Sequence, residues 1–134
     1  MATTITIDEL PEAWVLSVRG ELDYGESAGF RLRIDRILRA MPAVVVVDFS
    51  QVDFLDSSGL GLLLRLQREY EAAGGRLLLV TNETVDSVLE MTRLACVFSI
   101  EADVPSAIAG APRPARQDAT GMQLAAPDAG TASS

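Results

Sequence analysis

VVVVDFSQVDFLDSSGLGLLLRLQ, residues 44–67, decides the fold, because three kinds of local chemistry follow one another in it without a break. Ala43 to Val47 is an unbroken apolar, valine-rich run, the composition of a strand covered on both faces, so it belongs in the middle of a sheet. The strand is expected to end at Asp48, and a short acidic loop then leads to the adjacent serines Ser57 and Ser58 between Asp56 and Gly59. From residue 59 to 73 the apolar residues take a helical period, which Gly74-Gly75 stops as C-terminal glycines do.

Outward from that unit, the same two periods alternate. Upstream, TITIDEL and AWVLSVRG alternate in polarity across the turn signal Pro11-Glu12 and read as two strands of a hairpin. Residues 24 to 41 switch to a helical period. Phe30, Ile34, Ile37, Leu38 and Met41 fall on one face, and Arg31, Arg33, Asp35, Arg36 and Arg39 on the others. Downstream, RLLLV is the next strand, Thr84 to Met91 a short helix, Val97 to Ile100 a last strand and Val104 to Ala109 a last helical turn or two. Strands separated by helices imply right-handed crossovers onto a largely parallel sheet, to which the hairpin adds one antiparallel pairing. The expected class is α/β, a single domain over residues 1–109 with a mixed sheet of about four to five strands and amphipathic helices. From Gly110 on, 17 of 25 residues are Ala, Gly, Pro, Ser or Thr with no apolar period, so residues 110–134 are expected to form a disordered tail.

Charge and composition exclude several function classes. The net charge is -8, and because two Arg and two Asp cancel beyond residue 109, all of it falls in the expected domain. Nucleic acid and anionic membranes attract positive charge, so neither is an expected partner, whereas a basic protein surface is. The chain contains no histidine, and all eleven basic residues are arginine. A Ser-His-Asp triad, a P-loop lysine and a Schiff-base lysine are therefore excluded, and no GxGxxG sequence is present. Cys96 is the single cysteine and sits in the apolar stretch LACVFSI, where a core position is expected rather than a reactive thiol or a metal ligand. No cofactor and no metal site is expected. No apolar run approaches the ~18 residues of a membrane span, and no leader pattern opens the chain, so a soluble cytoplasmic protein is expected.

The serine turn admits three readings. Asp56, Ser57 and Ser58 are all good helix N-cap types, and one of them is expected to cap, with Ser58 the working choice. A nucleophile elbow would also put a serine between strand and helix, but G-x-S-x-G is missing and no histidine exists to act as base. The third reading is phosphorylation: a phosphate of about -1.5 to -2 charge sits well at a helix N-terminus and changes how a neighbouring acidic surface docks. On a helical wheel Leu62, Leu63, Leu66, Tyr70 and Ala73 share one arc, while Leu60 and Leu64 fall among Gln67, Arg68 and Glu71. Leu60 and Leu64 are therefore expected to be exposed and available to a partner.

DFSQVDFLDSSGLGLLL, preceded by GELD at 20–23 and followed by GGRLLLV, resembles the STAS-domain anti-anti-sigma factors of bacteria over residues 3 to about 109. The resemblance implies a STAS fold and a non-enzymatic regulator. It implies that the unmodified protein binds an anti-sigma factor that is also a serine kinase, so that a sigma factor is released, and that phosphorylation reverses this. It implies Ser57, the serine just after the motif's aspartate, as the phosphoacceptor. Asp23, Asp56, Ser58, Gly59, Leu60 and Leu64 are then the expected partner-binding residues, with a PP2C-type phosphatase removing the phosphate. The alternative is a STAS scaffold of a stress-sensing complex without a phosphorylation switch. One departure stands out: where many relatives have a Ser-Gly-Leu turn after the third helix, this chain has Met91-Thr92-Arg93-Leu94.

Overall fold

The computed structural model describes residues 3–110, so the expected tail lies outside the described residues. The chain runs β1 (Thr4–Glu9), β2 (Trp14–Leu22), a 3-10 turn (Tyr24–Glu26), α1 (Ser27–Ala40), β3 (Val44–Leu55), α2 (Ser57–Ala73), β4 (Arg76–Val80) and α3 (Glu83–Met91). A second 3-10 turn (Ala95–Val97), β5 (Ser99–Glu101) and α4 (Val104–Gly110) complete it. The five strands lie in the order β1-β2-β3-β4-β5, with β1 antiparallel to β2 and every later pair parallel. The expected α/β class and mixed sheet are therefore present, with the valine run at the centre.

Alternation in β3 divides that run between two cores. Val45, Val47 and Phe49 join Leu16, Val18, Leu77 and Leu79 in the larger one, which also receives Phe30, Ile34 and Ile37 of α1, Leu63 and Leu66 of α2, and Val85 and Leu89 of α3. Val44 and Val46 face the other way with Val15, Leu78 and Val80, under Ala107 of α4. Both faces of the central strand are covered, and this is why its composition lacks polar residues at alternate positions.

The strand does not end at Asp48. It continues to Leu55 through two register shifts against β2, between Ser17 and Arg19 and between Gly20 and Glu21. Each leaves an extra residue on β3, the mark of a β-bulge, and the Asp48 carboxylate holds the first by accepting from the Ser50 N–H at 2.9 Å and the Ser50 hydroxyl at 2.6 Å. Bulges explain why Ser50, Gln51 and Asp53 have loop-like polarity while still inside a strand.

Other expectations shift at their edges. The helix expected over 24–41 begins as a 3-10 turn, with α1 proper over Ser27–Ala40. The last strand is Ser99–Glu101 rather than 97–100, because Ala95–Val97 forms a turn. That turn also corrects Cys96: it is exposed, and Phe98 is the buried residue of this apolar stretch. At the end of α3, Arg93 takes the left-handed conformation with φ 61°, the conformation a glycine would adopt without strain. Gly74 closes α2 with φ 78°, and Gly75 packs so tightly that a Cβ there would stand 2.7 Å from the Tyr70 ring.

Two glycines in α2 behave oppositely. A Cβ on Gly59 would meet Leu22 and Leu55 at 2.9 Å, whereas a Cβ on exposed Gly61 would meet nothing within 4 Å. Gly59→Ala is expected to destabilise the domain by about 1–3 kcal/mol through overpacking. Gly61→Ala is expected to stabilise it by about 0.5–1 kcal/mol through helix propensity. Chemical denaturation of the two variants measures both, and equal effects would refute the steric distinction.

Candidate functional site

The site forms where two adjacent parallel strands end together. Leu22 of β2 lies opposite Leu55 of β3, so the turn that follows each strand lies beside the other. Asp23 caps the first turn: its Oδ1 accepts from the Glu26 N–H at 3.1 Å. Asp56 caps α2, where its Oδ1 accepts from the N–H groups of Ser58 at 3.0 Å and Gly59 at 3.3 Å. The same oxygen accepts from the Ser58 hydroxyl at 2.5 Å, and Oδ2 accepts from the Tyr24 N–H at 3.0 Å. The Asp56 N–H in turn donates to the Leu22 carbonyl. One carboxylate thus ties the two turns together.

These contacts set its protonation. The Ser58 hydroxyl above all, with the N–H groups of Gly59, Ser58 and Tyr24, holds the Asp56 carboxyl below its ordinary value, against an opposing effect of burial. They also correct the expectation that Ser58 is the cap. The aspartate one position before the helix has the reach to accept from the second and third N–H groups, and the Ser58 hydroxyl is spent on that aspartate.

Ser57 is the first residue of α2. It is exposed, and its hydroxyl makes no hydrogen bond among the described residues. Behind it, Gly59 is buried against Leu22 and Leu55, which seats the first turn of the helix on the core. That seating overturns the expected exposure of two leucines. Leu60 is 6% exposed within the larger core, and Leu64 is half-buried against it. The outward side of α2 instead carries Ser57, Gly61, Arg65 and Arg68, all exposed, with Arg65 paired to Asp35 of α1 at 3.1 Å.

Two residues that sequence reasoning passed over stand beside this stripe. Tyr24 is 80% exposed in the turn held by Asp56, and Phe54 is 47% exposed two residues before it. Tyr24 carried a signal, because an aromatic six residues before Phe30 is out of phase with the apolar face of α1. Phe54 carried none, since alternation from Val52 would bury it, and only the bulge turns it outward. Among the described residues no group of three or more Cys, Asp or Glu is placed to hold a metal ion. Among the described residues no helix is long and apolar enough to cross a membrane.

The depressed Asp56 carboxyl has a defined pH signature. Its folded-state value lies below its unfolded one, so its stabilisation is full above about pH 4 and disappears as pH falls through the folded-state value. Asp56→Ala is expected to cost about 1–2 kcal/mol at neutral pH, with the gap to the parent closing in acid, as measured by urea unfolding across pH. A gap constant with pH would refute the role of the carboxylate charge.

The STAS domain family model matches residues 4–107. The anti-sigma F factor antagonist of Lysinibacillus sphaericus is 32% identical over 85 residues, which cover 62% of this chain and 73% of that protein. The structure of an anti-sigma factor antagonist from Mycobacterium paratuberculosis matches with a TM-score of 0.74 at 23% identity, covering 81% of this chain and 92% of that one. At that identity the likeness is one of fold. The Bacillus cell fate determinant SpoIIAA, solved in its phosphorylated form, matches with a TM-score of 0.60 at 26% identity over 75% of this chain and 93% of its own. With the fold, the serine turn and these matches in agreement, the chain belongs to the STAS-domain family of anti-sigma factor antagonists.

Proposed function

We propose that this chain releases a sigma factor by binding the anti-sigma factor that holds it, through a surface centred on Ser57, and that phosphorylation of Ser57 ends the binding. The observation that carries the reading is the unequal use of the three polar residues at the turn. Asp56 and Ser58 are consumed in the cap, while the Ser57 hydroxyl stands free and exposed at the same helix end. A phosphorylated Bacillus relative of the same fold supports it.

The chemistry of the transfer belongs to the partner. With no histidine or lysine in the chain, the base, ATP and metal come from an anti-sigma factor with serine kinase activity. A PP2C-type phosphatase resets the hydroxyl, and all of these partners meet in the cytoplasm. The protein is substrate and ligand in this cycle, and it needs no cofactor of its own.

The docking surface differs from a row of exposed leucines. Asp23 and Asp56 organise it from within, Ser58 and Gly59 pin the helix start, and Leu60 and Leu64 support it from below. The partner meets Tyr24, Phe54, Ser57 and Gly61. Gly61 has no intramolecular reason to lack a side chain, since space around it is open, so its smallness serves close approach of another chain.

Phosphosite mapping on protein from its own cells is expected to find phosphate on Ser57. In pull-down, Ser57→Ala is expected to capture the anti-sigma kinase constitutively, and Ser57→Asp to lose it. Capture by Ser57→Asp as tight as the parent's would sink the switch and leave a STAS scaffold that works without one. Tyr24→Ala and Gly61→Ala are expected to weaken capture by roughly tenfold or more, as truncating or crowding an interface centre does. Unchanged affinity in both would move the surface elsewhere.

A further inference from the structure

β1 forms one border of the sheet, with β2 on its inner side and no strand of the described residues on its outer side. In an antiparallel pair only alternate residues bond to the neighbouring strand, so half of the N–H and C=O groups of a border strand face outward. Borders of native sheets are normally blunted by lysine, proline, a bulge or shortness. β1 carries none of these. Its register against β2 runs without a shift from Thr4 opposite Arg19 to Glu9 opposite Trp14, and Thr3 to Ile7 is an uncharged run of β-branched residues. Among the described residues a single side chain bonds its backbone: Arg33 of α1 donates to the Ile5 carbonyl at 3.3 Å, and a carbonyl has a second lone pair to offer. The other border, β5, is only three residues long.

The strand is complementary to itself. Ile5 and Ile7 pack against the larger core, whereas Asp8 lies opposite Val15 on the side of the smaller one. An antiparallel copy centred on Thr6 sets Ile5 against the partner's Ile7 on the first side and Thr4 against the partner's Asp8 on the second. Centring one residue later would set Ile5 against the carboxylate of the partner's Glu9 instead. Charge points the same way. The ionised groups along this border are Asp8, Glu9, Arg33 and Arg36, with Arg36 paired to Glu9, and they sum to zero on a chain of net charge -8. Two copies of an acidic protein therefore repel one another less at this border than over the rest of the surface.

We propose that a second copy of this chain docks on β1, the two strands pairing antiparallel about a two-fold axis at Thr6, so that two five-stranded sheets become one. The inference rests on the border strand alone and stands apart from the Ser57 reading.

Sedimentation equilibrium of the full chain across a wide concentration range tests it. The mass is expected to rise with concentration from the 14.3 kDa of one chain to twice that value. Thr6 is exposed, so substitutions there leave the core untouched, and at the axis each residue meets its own copy. Thr6→Lys and Thr6→Asp are each expected to raise the dissociation constant at least tenfold, because like charges then stand directly opposite one another. An equimolar mixture of the two variants is expected to restore the dimer, since lysine then faces aspartate. A chain that stays monomeric at every concentration would overturn the proposal. A dimer that both substitutions leave intact, or a mixture that fails to recover it, would overturn it equally by placing the contact on another surface or in another register.

Discussion

The Asp56 carboxylate is the point on which the rest of the site depends. Its two oxygens reach two segments: the helix start through the Ser58 and Gly59 N–H groups and the Ser58 hydroxyl, and the parallel strand's turn through the Tyr24 N–H. Hydrogen bonds to an ionised acceptor are roughly twice as strong as neutral ones, so this one residue holds two turns that the chain places 32 positions apart. Packing fixes the same assembly from below. Gly59 lets the helix descend onto Leu22 and Leu55, the paired last residues of the two strands, and the polar tie above them lies over a filled core.

That arrangement follows from the sheet. A parallel sheet puts the ends of β2 and β3 on the same edge, and the helices after them start there, so caps and dipole ends collect at one rim. The two bulges in β3 lengthen the strand beyond the valine run and carry its end up to that rim. They also leave Phe54 exposed, two residues before Asp56. Farther along, an exposed Arg65–Asp35 pair at 3.1 Å joins α2 to α1, a contact worth little by itself.

Much of this was legible in the sequence because the valine run, the helical periods and the Gly74-Gly75 stop each have one physical meaning. The sequence pattern predicts a largely parallel mixed sheet of about four to five strands with the valine run central, and locates Ser57 at the head of a helix. What it could not show were consequences of register. A helical wheel assigns Leu60 and Leu64 to the outside because it knows the helix axis but not the tilt that Gly59 permits. Alternation cannot foresee a bulge, so β3 was expected to stop at Asp48 and Phe54 went unnoticed. Cys96 sat in an apolar string that turned out to be a connecting turn, where hydrophobic composition does not ensure burial. The cap moved from Ser58 to Asp56 because both residue types suit the position, and only geometry chooses between neighbours.

The division of labour at the turn bears on how the proposed phosphate on Ser57 would change binding without unfolding the domain. Asp56 already occupies the second and third N–H groups of α2, so a phosphate on Ser57 has no structural bond to break. The positive end of the helix dipole would lower its cost, while the carboxylates of Asp56 and Asp23 would repel it from the turn. Outward is where Tyr24, Phe54 and Gly61 lie. A dianion there would have to be stripped of water to enter a close-packed interface, and compensation for it would fall largely to the partner. On the proposed switch, a phosphate on Ser57 would therefore cost the fold little and burden the complex, as reversible binding would require.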